Sequence, residues 1–358
     1  MKVFHIDSEK TFRGGQRQVL YLLEGLNGRG VENFLFCPRK SPLFERAGTV
    51  NKIAAPMLGE FDIFSAFKIS RRINREKPDI IHCHSAHALA LGLLAKKLSS
   101  VKPALVAARR ADFHIRCLKK YQRADRIITV SKAIKQILIS DGIDESNIDV
   151  VYSGIKDDIF SGLSGEYLYK DLGIKKEDFV IGNVAALTEQ KDHITLLKAA
   201  EIVVRDHPNA KFIIVGSGKL MEVLKTFVLE KGLKNNIILT GFRKDVMNFY
   251  KIFDIFAISS KWEGLGTSIL DAMLSGIAVT ATCAGGIPEI IEDGSNGLIS
   301  DTGDFRGLAA KIIVLIKNGD LRKRISAAGI ETAKKFNIVK TVGGTLAVYE
   351  KILNERKK

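Results

Sequence analysis

Cysteine is scarce in this chain: Cys37, Cys83, Cys117 and Cys283 stand far apart, with no C-x-x-C pair. That spacing excludes a disulfide framework and a zinc ribbon and fits a reducing cytoplasm. Long apolar runs are missing too. Ala86–Ala95, the longest nearly uncharged run of the first half, falls far short of the roughly 20 residues that span a bilayer. Lys2 leads straight into Val3-Phe4-His5-Ile6, a strand pattern, so no signal peptide is expected. There is no phosphate loop of the G-x-x-x-x-G-K-S/T kind and no Asp-x-Asp pair to hold a metal on a nucleotide. Val215-Gly216-Ser217-Gly218-Lys219-Leu220-Met221 starts like a dinucleotide fingerprint, but Met221 stands where the third glycine belongs. Nicotinamide binding is therefore disfavoured. Short-period repeats and low-complexity tracts are absent as well.

What the chain does have is positive charge. Its net charge is +15, and residues 1–165 hold 27 Lys+Arg against 17 Asp+Glu, a net +10. Such an excess favours an anionic partner. Arg109, Arg110, Arg116, Lys119, Lys120, Arg123 and Arg126 oppose only Asp112 and Asp125, with Phe113, Ile115 and Leu118 interleaved. A membrane-facing or anionic-acceptor patch and a plain solvated helix face both fit this segment. Nucleic acid fits poorly, because stacking aromatic motifs are missing.

At 358 residues, with 46% hydrophobic and 27% charged residues, the chain suits a globular protein of two domains. Short β-branched runs alternate with helical patterns. The first set is Lys2–Asp7, Asn33–Pro38, Ile80–His84, Ala104–Ala108, Arg126–Ser131 and Asp149–Ser153. The second is Phe179–Ala185, Lys211–Gly216, Ile237–Gly241, Asp254–Ser259 and Ile277–Thr282. Continuous apolar strands separated by helices predict parallel sheets covered on both faces, set twice. The expected organisation is a first Rossmann-like domain over 1–160 and a second over 165–338. A final helix over 339–358, its core from about Thr341 to Glu355, crosses back to the first. The break falls in the Gly- and Ser-rich stretch Gly154–Gly173.

The segment Ser259–Ile299 carries the most chemistry. Glu263 precedes Gly264-Leu265-Gly266-Thr267, a helix follows with Asp271 one turn in, and Gly285-Gly286 and the acids Glu289 and Asp293 come later. Two glycines let backbone approach a ligand, and a helix N-terminus with unpaired N–H groups suits a phosphate. Carboxylates suit vicinal hydroxyls because each offers two acceptor oxygens. An ordinary helix start and an ordinary glycine turn are the plainer readings. Near the start, Arg13-Gly14-Gly15-Gln16 follows the first strand and opens a helix, Gln16–Leu26, again with room for phosphate or sugar. His82-Cys83-His84 with His87 invites a metal. One histidine buried and the other lining a cleft is the favoured reading, and no metal site is expected. Lys191, beside His193 at a helix start, is placed to neutralise a diphosphate.

Taken together, these residues resemble retaining glycosyltransferases of the two-domain GT-B fold, the family-4 group. The resemblance rests on RGGQRQVLYLLEGL, PDIIHCHS, ADRIITVSKAIKQIL, VVYSGIKDDIF, VAALTEQKDH, KFIIVGSG, NIILTGF and the Ser259–Ile299 block. It implies an α/β fold of two doubly wound Rossmann-like domains facing a central cleft. The second domain would hold a nucleotide-sugar donor, with a UDP-sugar expected, and the basic first domain an acceptor. Transfer would retain anomeric configuration without a metal or other cofactor. Glu263 matches the first acid of the Glu-x7-Glu motif, which contacts the donor sugar. Leu265, Gly266 and Thr267 match the backbone at the diphosphate, Lys191 the lysine that neutralises it, and Gly14 and Gly15 the glycine loop. The expected acceptor is an anionic glycolipid or glycan of the cell envelope. The expected location is the cytoplasm, with peripheral contact at the inner face of the membrane.

Three positions depart from the family pattern. The second acid is Asp271, one methylene shorter, set to contact ribose. Ala185-Ala186-Leu187 stands where a Gly-Arg-Leu segment is usual, which removes one cation from the diphosphate clamp; Arg243 is the candidate substitute. The strand that usually ends in a catalytic histidine ends in Arg109-Arg110. Arg109 and His84 are the candidates to face the sugar. An epimerase of the same architecture and a non-catalytic nucleotide-sugar-binding protein are the competing readings.

Overall fold

The computed structural model of the chain describes residues 1–60 and 62–357. Two compact units result, Met1–Gly154 with Ile338–Lys358, and Ile155–Asn337. In the first unit lie β1 (Lys2–Ile6), β2 (Glu32–Cys37), β3 (Asn51–Ala54), β4 (Ile80–Cys83), β5 (Ala104–Arg109), β6 (Arg126–Thr129) and β7 (Ile148–Val150). They pair in parallel in the order β3-β2-β1-β4-β5-β6-β7. In the second lie β8 (Phe179–Val184), β9 (Ala210–Val215), β10 (Ile237–Gly241), β11 (Ile255–Ile258), β12 (Ala278–Thr282) and β13 (Leu298–Ser300). Their parallel order is β10-β9-β8-β11-β12-β13.

The apolar runs explain this arrangement. Every residue of β5, β11 and β12 is buried, as strands covered by helices on both faces must be. Strand order reverses between β1 and β4, and again between β8 and β11. Loops leaving the carboxyl ends at such reversals diverge and open a crevice, where ligands bind in open α/β sheets. The strands predicted from sequence are present with ends shifted by up to three residues, the largest shift being β7, which ends at Val150 rather than Ser153. The short β3 and β13 were not foreseen. Both are sheet edges of three or four residues, too short for a distinct pattern.

The division falls at Gly154, at the start of the Gly/Ser-rich stretch. Most of that stretch belongs to the second unit and includes a helix, Glu166–Leu172, capped by Gly173 in the left-handed conformation. The final helix, Ile338–Glu355, belongs to the first unit. It buries Val342, Thr345, Val348, Tyr349 and Ile352. Val342, Val348, Tyr349 and Ile352 share a core with Val3, Leu22, Leu26, Ile80 and Val106, and the Tyr349 hydroxyl lies 2.6 Å from His82 Nδ1. Tyr349→Ala would empty a fully buried site and should cost about 3–5 kcal/mol in urea unfolding. A loss below about 1 kcal/mol would mean that the C-terminal helix is not an integral part of the first core.

Candidate functional site

In the second unit, the loops after β8 and β11 meet side by side at the reversal of strand order. Lys261 N donates to Gln190 O at 2.8 Å, and Ser259 Oγ donates to the carbonyls of Lys191 and Asp192 at 3.0 and 2.9 Å. Asp192 itself sits at φ 42°, a strained value for a non-glycine, at the junction of a 3-10 turn and the helix His193–Asp206. The turn delivers Lys191, whose ammonium pairs directly with Glu263 Oε2. Ser260 Oγ donates to the same oxygen at 3.1 Å. Glu263 is buried, and its carbonyl accepts from Gly286 N at 2.9 Å, which ties the Gly285-Gly286 turn to the site.

Gly266 follows at φ 95° and caps the helix Thr267–Leu274. A Cβ there would lie 2.9 Å from Ile269 Cδ1 and 3.5 Å from Glu263 Cγ, so both conformation and space call for glycine. The first turn of that helix holds no acidic residue of its own. Leu265 is buried and Thr267 half-buried. Asp271 is 1% exposed, set in the second turn with its side chain inside the protein.

Arg243, expected as the spare cation, is already paired with two carboxylates. Asp245 grips its guanidinium at 2.9 and 2.8 Å, and Asp171 takes a third contact at 2.8 Å. Tyr167 also donates to Asp245. The Arg243 hydrogen bonds hold the Asp245 carboxyl down at about 2. Two carboxylates on one guanidinium leave the cluster net negative. The glycines at 216 and 218 serve packing: a Cβ on either would come within 1.9 Å of Ala185 O or 2.2 Å of Leu187 O. Leu187 N donates to Ser217 O at 3.0 Å, and Leu220 N donates to Leu187 O at 3.2 Å. That close approach seats the exposed Lys219 on the loop packed against Ala185–Leu187, a cation that sequence reasoning did not select.

The reversal in the first unit gathers Asp7, after β1, and His84, after β4. The helix predicted from Gln16 begins at Gly14, so the two glycines form its first turn rather than a free loop. Gln16 Nε2 donates to Asp7 Oδ2 at 3.3 Å. Burial lifts the Asp7 carboxyl to about 6. Arg110, not Arg109, is the arginine of this group. Its guanidinium donates to His84 O at 2.8 Å and lies 3.3 Å from His84 Nδ1; a Cβ on Gly15 would lie 3.8 Å from its Cδ. Arg109, the next residue along, bonds Tyr121 OH at 3.3 Å and the Phe113 carbonyl, and stacks on both rings. It braces the loop after β5, a structural task.

His84 is buried rather than facing outward, and His82 is buried with it. The β1–β4 register sets His5 opposite His82 and brings all three imidazoles together. His87 lies outside the group, exposed and 3.8 Å from Glu60. The hydrogen bonds fix direction. Asn33 Nδ2 donates to the Val31 carbonyl at 3.0 Å, so its Oδ1 accepts from His5 Nε2 at 3.0 Å. His5 Nδ1 must then accept from His84 Nε2 at 3.0 Å, and His84 Nδ1 accepts from Arg110. The chain Arg110–His84–His5–Asn33 runs one way and keeps His5 and His84 neutral. Both nitrogens of His84 are engaged, and a guanidinium lies against it. A cation among the three rings would have to break this chain beside a fixed positive charge.

The profile described as Glycosyl transferases group 1 matches residues 166–332, and that described as Glycosyltransferase Family 4 matches residues 12–159. An uncharacterised glycosyltransferase of Methanocaldococcus jannaschii is 31% identical over 306 residues, covering 81% of this chain and 80% of that protein. The chain belongs to the family-4 glycosyltransferases. The UDP-Gal:alpha-D-GlcNAc-diphosphoundecaprenol alpha-1,3-galactosyltransferase of Escherichia coli is 25% identical over 366 residues, covering 96% of this chain and 95% of its own. The crystal structure of Anabaena Alr3699/HepE in complex with UDP and glucose superposes with a TM-score of 0.85 at 20% identity, over 98% of this chain and all of that one. The two parallel-sheet halves are thus the GT-B fold.

Within this glycosyltransferase, Lys191, Glu263, Leu265, Gly266 and Thr267 come together on the second unit, while Gly14, Gly15 and His84 gather on the first. Sequence reasoning missed Asp7, His5, Arg110 and Ser260. Alternation along the strands was the available signal, since residues 82 and 84 share a face whose occupants on β1 are His5 and Asp7.

The buried histidines make the first unit sensitive to acid. Burial lowers His5 to about 4, and holds His82 and His84 well below their ordinary value. The unfolded chain binds these protons near pH 6.5 and the folded chain does not. Their contribution to stability is therefore complete above about 6.5 and lost as the pH falls toward 4. Asp7 works in the opposite sense from about 6 down to its ordinary range, but it is one group against three. The urea midpoint should fall steadily between about pH 7 and about pH 5. A flat or rising midpoint would mean that the histidines carry protons in the fold.

Proposed function

We propose that this glycosyltransferase moves a hexose from a UDP-sugar to a glycolipid acceptor of the cell envelope, with retention at the anomeric carbon. The reaction runs without a metal, at the cytoplasmic face of the membrane. The observation that carries the reading is the Lys191–Glu263 pair beside the Gly266 turn and the helix Thr267–Leu274. A departing nucleoside diphosphate needs positive charge where its own negative charge develops. A lysine and a helix N-terminus supply that from fixed positions. Glu263 accepts hydrogen bonds from sugar hydroxyls. Lys191 and Glu263 neutralise each other until a donor arrives; the diphosphate then draws the ammonium and leaves the carboxylate for the sugar.

The relatives support the class of substrate. The Escherichia coli enzyme uses UDP-Gal and a diphosphoundecaprenol-linked acceptor, and the Anabaena structure holds UDP and glucose. The basic first unit suits an acceptor that carries phosphate. On that unit Arg110, held by His84, stands ready for an anionic group of the acceptor.

Nucleotide release should be measured across UDP-, GDP- and ADP-sugars, with UDP-sugars expected to be turned over. Glu263→Gln and Lys191→Ala should each lower turnover roughly a hundredfold or more, with circular dichroism unchanged. Full activity in Glu263→Gln would sink the assignment. EDTA should leave the rate unchanged, and a rate restored only by added Mg2+ or Mn2+ would overturn the metal-free reading. The anomeric proton coupling of the product checks retention.

A further inference from the structure

The helix Ile63–Glu76 of the first unit turns an apolar and basic face to solvent. Its inner side, Ser65, Ala66, Ile69, Ser70 and Ile73, is buried. On the outer side Ile63 is 65% exposed, Phe64 87% and Phe67 54%, and Leu58, just before the helix, is 80% exposed. Single exposed apolar residues are ordinary, but four together at one helix end are not. Lys68, Arg71 and Arg75, all exposed, continue along the same face at helical spacing.

Negative charge is turned aside. Asp62 caps the helix by accepting from Ser65 N at 2.9 Å and Ser65 Oγ at 2.7 Å. Glu76 is held by Arg75 at 2.7 Å and by Arg72 and Lys2 at 3.4 Å. Glu60 pairs with Lys120 at 2.7 Å. That ion pair ties the Leu58 loop to the basic segment of the sequence, where Phe113, Arg116, Lys119 and Arg123 are exposed.

We propose that this end of the first unit docks on an anionic lipid bilayer. Leu58, Ile63, Phe64 and Phe67 enter the interface. Lys68 and Arg71, reaching up to about 12 Å further along the helix axis, contact lipid phosphates. The order along the helix, apolar at one end and basic behind it, matches the order of hydrocarbon and headgroup in a membrane surface. Charge complementarity selects acidic lipid over neutral lipid. The inference rests on the reading that the acceptor is a membrane glycolipid, and it gives that reading a surface.

Flotation with vesicles of phosphatidylcholine, with and without about one-third phosphatidylglycerol, tests it. The protein should float with the acidic vesicles and far less with the neutral ones, and added salt should release it. Phe64→Ser with Phe67→Ser should weaken binding roughly tenfold or more, as should Lys68→Glu with Arg71→Glu. Release of UDP from a soluble donor should stay unchanged in both variants. Flotation that fails with acidic vesicles, or that survives both pairs of substitutions, would overturn the proposal. So would a dimer in solution that the Phe64/Phe67 variant dissociates, because a second copy would then cover the face. Vesicle binding without transfer to any lipid acceptor would count against the glycolipid reading and leave the docking surface standing.

Discussion

The ion pair between Lys191 and Glu263 organises the second unit's site. It joins two loops that leave strands on opposite sides of the reversal and that the Lys261 N–H, donating to Gln190 O, also holds together. A pair so poorly exposed carries a desolvation cost that neither group would bear singly. The surrounding bonds make it tolerable: Ser260 donates to the carboxylate, and the carbonyls behind Lys191 are satisfied by Ser259. Gly266 then lets the helix Thr267–Leu274 start within reach of Glu263. Remove the pair, and the lysine and the carboxylate lose the partner that holds each in place without ligand.

The first unit reaches order at its own reversal by a different device, a one-way run of neutral hydrogen bonds. Asn33 fixes His5, His5 fixes His84, and His84 receives Arg110. The far end of this run is a backbone carbonyl, Val31 O, which cannot change its role as an acceptor. A guanidinium in contact with a protonated imidazole would be repelled, so the neutral tautomer is also what allows Arg110 to sit there. The protein thus sets a cation beside a carboxylate at both sheet reversals, Lys191 with Glu263 in one unit and Arg110 near Asp7 in the other.

Much of this was legible before any coordinates. Buried parallel strands announce themselves as continuous apolar runs, and eleven of the strands were read that way. Glu263, Gly266 and Lys191 were marked because glycine next to a carboxylate, and lysine at a helix start, are local patterns. Edge strands β3 and β13 escaped because a few residues carry no period. The choice of Arg109 over Arg110 failed for a related reason. Two adjacent arginines are equivalent in composition, and only the pleat decides that one meets Tyr121 and Phe113 while the other meets His84. Arg243 was chosen for its charge alone, and the carboxylates that absorb that charge lie two and 72 residues away.

Periodicity sufficed for the fold class and the doubled architecture, and local motif marked the residues that gather at the second unit's reversal, because those depend on neighbours within a turn or a strand. Pairing across long separations belonged to the tertiary structure. Register between β1 and β4 put His5 against His82 and His84, 77 and 79 residues away. It also moved His84 from a predicted exposed role into a buried relay. Which charges remain available, and which are already neutralised, depends on distances through space that spacing along a chain does not encode.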